Sequence, residues 1–183
     1  LVSFVFQDTF LFKQSVADNI LIGRKDASRE EVVAAAKAAQ CHEFIEKLPA
    51  GYDTIIGADN VHLSGGEKQR IVIARAVLKD APIIVLDEAT AFADPENEQK
   101  THAAFEKLLK GKTVVMIAHR LSTVKGADKI IVIDKGQLAE EGRHEDLIKA
   151  GGLYSIMWEQ YNAALDWTIA GADKKEEIGE KDV

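Results

Sequence analysis

One cysteine, three prolines, two methionines and two tryptophans are spread over 183 residues. The lone Cys41 excludes an internal disulfide and fits a reducing compartment. No apolar run approaches the roughly 20 residues that a membrane-spanning helix needs. The phosphate loop G-x-x-x-x-G-K-[ST] is missing from the whole chain. So are zinc-type Cys/His spacing, H-E-x-x-H, a nucleophile elbow and internal repeats, which leaves zinc hydrolysis and Ser/His/Asp catalysis without support. Cations are short as well. The 23 Lys and Arg against 30 Asp and Glu give a net charge of -7, opposite to the basic balance of a nucleic-acid binder. The first residue is Leu1, inside the apolar run Leu1–Phe6, so the reading expects a fragment that starts within a strand.

What is present describes one globular α/β chain. Hydrophobic residues make up 46% and charged residues 29%, enough for a real core. Leu1 to Phe6 reads as a short strand, with Gln7-Asp8 at its C-terminal end, where open α/β sheets place ligand contacts. Ser15 to Ile22 reads as a short helix. A capping box at Ser28 and Glu31 opens a second helix through about Leu48, stopped by Pro49. Its core face carries Val33, Ala36, Cys41, Phe44 and Leu48. Gly51 to His62 reads as a loop.

Leu63-Ser64-Gly65-Gly66-Glu67-Lys68-Gln69-Arg70 follows. Ser64 can cap a helix that Glu67 closes as a box, while Gly65 and Gly66 would let a phosphate approach the backbone N–H groups at the positive end of the helix. An ordinary capped helix would look the same. The helix runs to about Lys79 with a buried stripe of Ile71, Ala74, Val77 and Leu78, leaving Arg70 and Arg75 off it. Ile83 to Leu86 is apolar throughout, as in a strand buried on both faces of a parallel sheet. Asp87-Glu88 closes it. Carboxylates there are costly to bury without a cation, and Mg²⁺ with a phosphate would supply one. An Asp that caps the next turn beside an exposed Glu is the plainer alternative. Asp94-Pro95-Glu96 starts another helix. Thr113 to Ala118 reads as a second buried strand, ending at His119. The other histidines, His42, His62, His102 and His144, read as surface residues. Asp134-Lys135-Gly136 joins a hairpin. Helices between His144 and Trp167 break at Gly151-Gly152, and the tail from Lys174 reads as disordered.

Taken in order, Gln7, the Ser64 helix start, Asp87-Glu88, Asp94 and His119 resemble the ATP-binding domain of ABC transporters. Val5 to Phe12 looks like the Q-loop, Leu63 to Gln69 the signature motif, Ile83 to Glu88 Walker B with its catalytic glutamate, Ala91 to Asp94 the D-loop, and Ala118 to Val124 the switch-histidine segment. The likeness runs from Leu1 to about Tyr161. Gln7 to Phe12, His119 to Val124 and Glu141 to Leu147 are similar to the exporter branch.

This resemblance implies a P-loop NTPase-like α/β core with a mainly parallel sheet and an inserted α-helical signature subdomain. It divides the chain into a partial core of 1–7 with 81–165, a helical subdomain of 8–80 and a flexible tail of 166–183, the P-loop and an antiparallel part being absent. It further implies that two ATP-binding domains sandwich ATP. Ser64, Gly65, Gly66 and Gln69 would meet the nucleotide of a partner domain, Asp87 and Gln7 would hold Mg²⁺, Glu88 would act as general base, Asp94 would serve the D-loop, and His119 would touch the γ-phosphate. A transmembrane domain and a place at the cytoplasmic face of the membrane follow, with no nucleic-acid partner. Without a P-loop the chain alone should bind ATP poorly and leave a sheet edge and apolar surface uncovered. Two departures stand out. Thr54-Ile-Ile-Gly-Ala-Asp-Asn60 lacks both glutamates usual before the signature, and Ala93 replaces the usual larger apolar residue. A chromosome-organising or DNA-repair ATPase shares part of the signature, but its motifs would be separated by a long coiled coil. A non-enzymatic interaction module is the other rival.

Overall fold

A computed structural model describes residues 1–6, 9–57, 61–87, 95–118 and 121–164, with only the backbone of 95–98. The chain forms two compact units, 1–117 and 118–183.

Unit one is built on three parallel strands in the order β1 (Val2–Val5), β2 (Ile83–Asp87) and β3 (Thr113–Ile117). Parallel strands need crossovers. The first consists of α1 (Val16–Leu21), α2 (Arg29–Ala38), α3 (His42–Glu46), a 3-10 turn at Gly51–Asp53 and α4 (Gly65–Lys79); the second is α5 (Pro95–Leu109). Alternate strand residues face opposite ways, so Val5, Ile84 and Leu86 enter a core that also takes Val16, Ile20, Val32, Ile45, Ile71, Ile73, Phe105 and Leu108.

Several sequence expectations need correction. The α2 helix does not reach Leu48. Gln40 adopts a left-handed φ of 55°, and the Cys41 and Gln40 N–H groups bond back to the Ala36 and Lys37 carbonyls at 2.9 and 3.1 Å. That is a Schellman stop, after which α3 begins anew. The buried face of α2 carries Val32, Ala35 and Ala36, with Val33 only half-buried. On α4, Arg70 is buried and Val77 half-buried, because α1, α2, α5 and β1 surround the helix. Neither strand is sealed on both faces. In β2, Ile83 and Val85 are half-buried, and every residue of β3 is exposed. β3, like β1, is an edge strand, and the core of this unit takes Val5, Ile84 and Leu86 from one face of the sheet. Phe4, Phe6, Val115 and Ile117 therefore remain on an open apolar surface, each at least half exposed.

Unit two has its own small core. The helix α6 (Leu121–Val124) precedes a hairpin of β4 (Ile130–Asp134) and β5 (Gln137–Gly142), then α7 (His144–Ala150) and α8 (153–164). Lys135 and Gly136 both take positive φ, 50° and 77°, which gives the two-residue turn whose twist matches the strands. Ile130, Val132, Leu147 and Tyr154 form the core. His144 is no simple surface residue: it is half-buried, with Nδ1 2.9 Å from the Tyr154 hydroxyl and its ring 4.5 Å from that of Trp158. His42 is likewise half-buried, 2.9 Å from the Tyr52 hydroxyl. Glu140 caps α8, its carboxylate accepting from the N–H groups of Leu153 and Tyr154.

Candidate functional site

The Ser64 turn is a complete capping box. Ser64 is extended, with φ -63° and ψ 162°. The Glu67 N–H donates to Ser64 Oγ at 3.3 Å, and the Ser64 N–H donates to Glu67 Oε2 at 2.8 Å. These two bonds fix the turn and leave the N–H groups of Gly65 and Gly66 directed out of the helix start. A Cβ on Gly65 would meet nothing within 4 Å. Packing inside the chain therefore does not call for glycine there, although glycine costs a helix up to about 1 kcal/mol relative to alanine. Glycine there leaves the backbone N–H groups open to close approach from outside. The helix adds a partial charge of roughly +0.5 at this end, so the group it suits is an anion.

Behind the exposed turn the helix is anchored. Leu63, Gln69 and Arg70 are buried, at 9%, 7% and 3% exposure. The Arg70 guanidinium lies 5.4 Å from the Phe44 ring centroid and donates to Thr101 Oγ1 at 3.4 Å. Ser64 and Gly65 are exposed and Gly66 is half-buried, whereas Gln69, expected beside them at the nucleotide, is buried.

The strand ends make a second group. Register pairs Val5 with Leu86 and Asp87 with Ile117, so three C-terminal ends stand in one row. At about 4.8 Å between strands, the row spans roughly 10 Å. Asp87 closes β2 and is half-buried. Gln7 and His119 each follow the end of a strand by two residues, and Glu88 follows Asp87 directly. Gln7, Glu88, Asp94 and His119 lie outside the described residues, as do Asp59 and Asn60 and the tail from 165. Among the described residues no trio of His, Cys, Asp or Glu could hold a metal ion. Among the described residues Asp87 is the carboxylate that stands at these strand ends.

The segment after Gln7 is stitched to the segment that precedes Leu63. The Val16 N–H donates to the Thr54 carbonyl and the Ile56 N–H to that of Gln14, both at 3.0 Å, and Ser15 bridges Ile55. Phe10, Phe12 and Ile55 are exposed on these segments, at 65%, 46% and 45%. The two Phe rings meet edge to face at 4.8 Å. The sequence gives little sign of this stitching, because the Thr54–Ile56 segment reads only as loop; the β-branched run Thr-Ile-Ile is its one signal. No described helix is long and apolar enough to cross a membrane.

Comparison with known proteins adds the following. The profile of the ABC transporter family matches residues 1–91. The ATP-dependent lipid A-core flippase of Chromobacterium violaceum is 53% identical over 154 residues, 84% of this chain and 26% of the flippase. The mycobactin import ATP-binding/permease protein IrtA of Mycobacterium tuberculosis is 49% identical over 158 residues, 86% of this chain and 18% of that protein. The structure of a bacterial Atm1-family ABC exporter with ATP bound superposes with a TM-score of 0.74 at 46% identity, over 87% of this chain and 28% of that one. The chain thus spans about a quarter or less of the length of the flippase and of IrtA.

Proposed function

The chain belongs to the ABC transporter family, as part of an ATP-binding domain, and on that premise we propose that it carries the signature, Walker B and switch portion of an exporter-type transporter that couples ATP hydrolysis to substrate movement. The observation that carries this reading is the Ser64 turn, a capped helix start whose Gly65 faces open space.

On this reading Ser64, Gly65 and Gly66 bind the γ-phosphate of ATP held by a second ATP-binding domain, and the buried Gln69 keeps their turn in place. Asp87 and Gln7 would hold Mg²⁺. When bound, that ion offsets charge on the phosphates. Glu88 takes the proton of the attacking water, Asp94 serves the partner contact, and His119 holds the γ-phosphate. The work of these residues is positioning and charge stabilisation, as phosphoryl transfer requires. The division into a core of 1–7 with 81–165 and a helical part of 8–80 belongs to the same reading.

The exposed Phe10, Phe12 and Ile55 suit an apolar surface of a transmembrane domain, with this chain on the cytoplasmic face. The missing glutamates between Thr54 and Asn60 make that docking more apolar than is usual. Export is the direction proposed, in line with the Atm1-family exporter that this chain resembles in structure.

The test is phosphate release by the complete transporter polypeptide. Glu88→Gln should retain ATP binding and lower turnover by at least 100-fold, about the lower range for a general base. Turnover within about threefold of wild type, a barrier change below about 0.7 kcal/mol, would overturn the reading.

A further inference from the structure

Arg75 lies about three turns down α4 from the Ser64 turn, and its guanidinium leaves the helix. Nε donates to the Asn19 carbonyl at 2.9 Å, Nη2 to Asn19 Oδ1 at 3.3 Å and Nη1 to the Phe10 carbonyl at 3.5 Å. Asn19 is fully buried, and its side chain is engaged on both sides. Oδ1 also accepts from the Phe12 N–H at 2.9 Å, while Nδ2 donates to the carbonyls of Phe12 and Ser15 at 3.0 Å and of Gln14 at 3.5 Å. One asparagine therefore gathers the backbone of the loop that follows Gln7, and one arginine ties that asparagine to α4. Gly23 closes the junction from the other end of α1: a Cβ there would lie 2.2 Å from the Arg75 carbonyl oxygen, so the two backbones touch.

We infer that Arg75 and Asn19 are positioning residues that clamp the loop from Phe10 to Ser15, and with it the paired Thr54–Ile56 segment, to the signature helix α4. The fork of Arg75 spans two residues of different segments with one rigid plane, which an ammonium cannot do. Asn19 needs both its acceptor and its donor, since it faces an N–H and three carbonyls. The loop is exposed and carries no strand of its own, so without the clamp its backbone groups would turn to water. The consequence for nucleotide chemistry, through Gln7 at the head of this loop, rests on the proposed ATP-binding role; the clamp itself does not.

The experiment uses the full 183-residue chain without nucleotide, so a failure of the ATP-binding reading leaves its result intact. Amide hydrogen exchange is followed in the wild type, Arg75→Lys and Asn19→Asp, together with the rate of tryptic cleavage after the exposed Lys13. In Arg75→Lys, exchange at Phe12 and cleavage after Lys13 should each rise at least about tenfold, while amides of Ile71 to Ala74 stay within about twofold of wild type. Asn19→Asp keeps the acceptor and loses the donor, and should give the same local loss. Unchanged exchange and cleavage in Arg75→Lys would overturn the clamp. So would an equal rise across α4, which would mark Arg75 as a general stability residue. If Asn19→Asp does not fold, Arg75→Lys alone decides.

Discussion

Gly23 and Gly65 invite the same substitution with opposite outcomes. At Gly23 an added Cβ would stand 2.2 Å from the Arg75 carbonyl oxygen, 3.1 Å from its carbon and 3.2 Å from the Lys79 nitrogen. All three are backbone atoms of α4, a helix buried on most sides, so none can swing away. Ordinary contact starts at 3.4 Å, and the end of α1 must retreat by about 1 Å to restore it. Overpacking of this kind costs about 1–3 kcal/mol, and the immovable neighbour places Gly23→Ala near the upper end, about 3 kcal/mol. At Gly65 the Cβ enters open space, and alanine should stabilise the helix start by about 0.5 kcal/mol through its better helix propensity. The assay is urea unfolding by far-UV circular dichroism. Trp158 packs in the second unit beside His144 and Tyr154, so its emission reports that unit separately. With a slope of about 2 kcal/mol per molar urea, Gly23→Ala should lower the midpoint by roughly 1.5 M and Gly65→Ala should raise it by roughly 0.2 M. A Gly23→Ala midpoint within about 0.3 M of wild type, or about 0.6 kcal/mol on the same slope, would refute the close approach of α1 to α4.

Removing the capping hydroxyl in Ser64→Ala should cost about 1 kcal/mol, read as a urea midpoint; no loss would show that the box does not hold the turn. Gly152→Ala would place a Cβ 2.0 Å from Glu140 Oε1 and displace the carboxylate that caps α8. The two changes Gly152→Ala and Glu140→Ala should therefore cost about as much together as either alone, and additive losses in a double-mutant cycle by tryptophan emission would contradict this. Burial pushes the Cys41 thiol up to about 12, against a pull downward by Arg70. In the native chain it should resist iodoacetamide at about pH 8.5, near the ordinary thiol pKa, and react at once in denaturant. The folded value lies above the ordinary 9.0, so this thiol's contribution to stability is whole below about pH 9 and falls as the unfolded chain ionises above it. Cys41→Ala should flatten that alkaline decline.

What was legible in the sequence was local. Both capping boxes, at Ser28 and Ser64, need only residues three apart, and the structure forms each bond of each box. The parallel strands and the Lys135-Gly136 hairpin follow from short apolar runs and one turn. What escaped depends on distant partners or on strand order. Gln40 ends α2 in a left-handed conformation that a non-glycine residue does not announce. Arg70 is buried because Phe44 and Thr101, 26 residues before and 31 after, receive it. Asn19 reads as one polar residue in a short helix, yet it organises a loop through partners up to 56 residues away. β3 has the composition of an inner strand but lies at the edge of the sheet. Of the candidate site, the Ser64 turn and Asp87 stand among the described residues, and the motif spacing alone speaks for Gln7, Glu88, Asp94 and His119.

On the proposed role, this chain meets ATP through the Ser64 turn and the Asp87 strand end, while its 183 residues hold no phosphate loop. Three charge-assisted hydrogen bonds at ~1.5 kcal/mol each would be lost with that loop, on the order of a thousandfold in affinity. Calorimetric titration of the chain with Mg-ATP tests this most directly. The expected result is no saturable heat at micromolar nucleotide. A one-to-one isotherm with micromolar affinity would contradict the claim, because residues other than Ser64, Gly65, Gly66 and Asp87 and their motif partners would then hold the nucleotide.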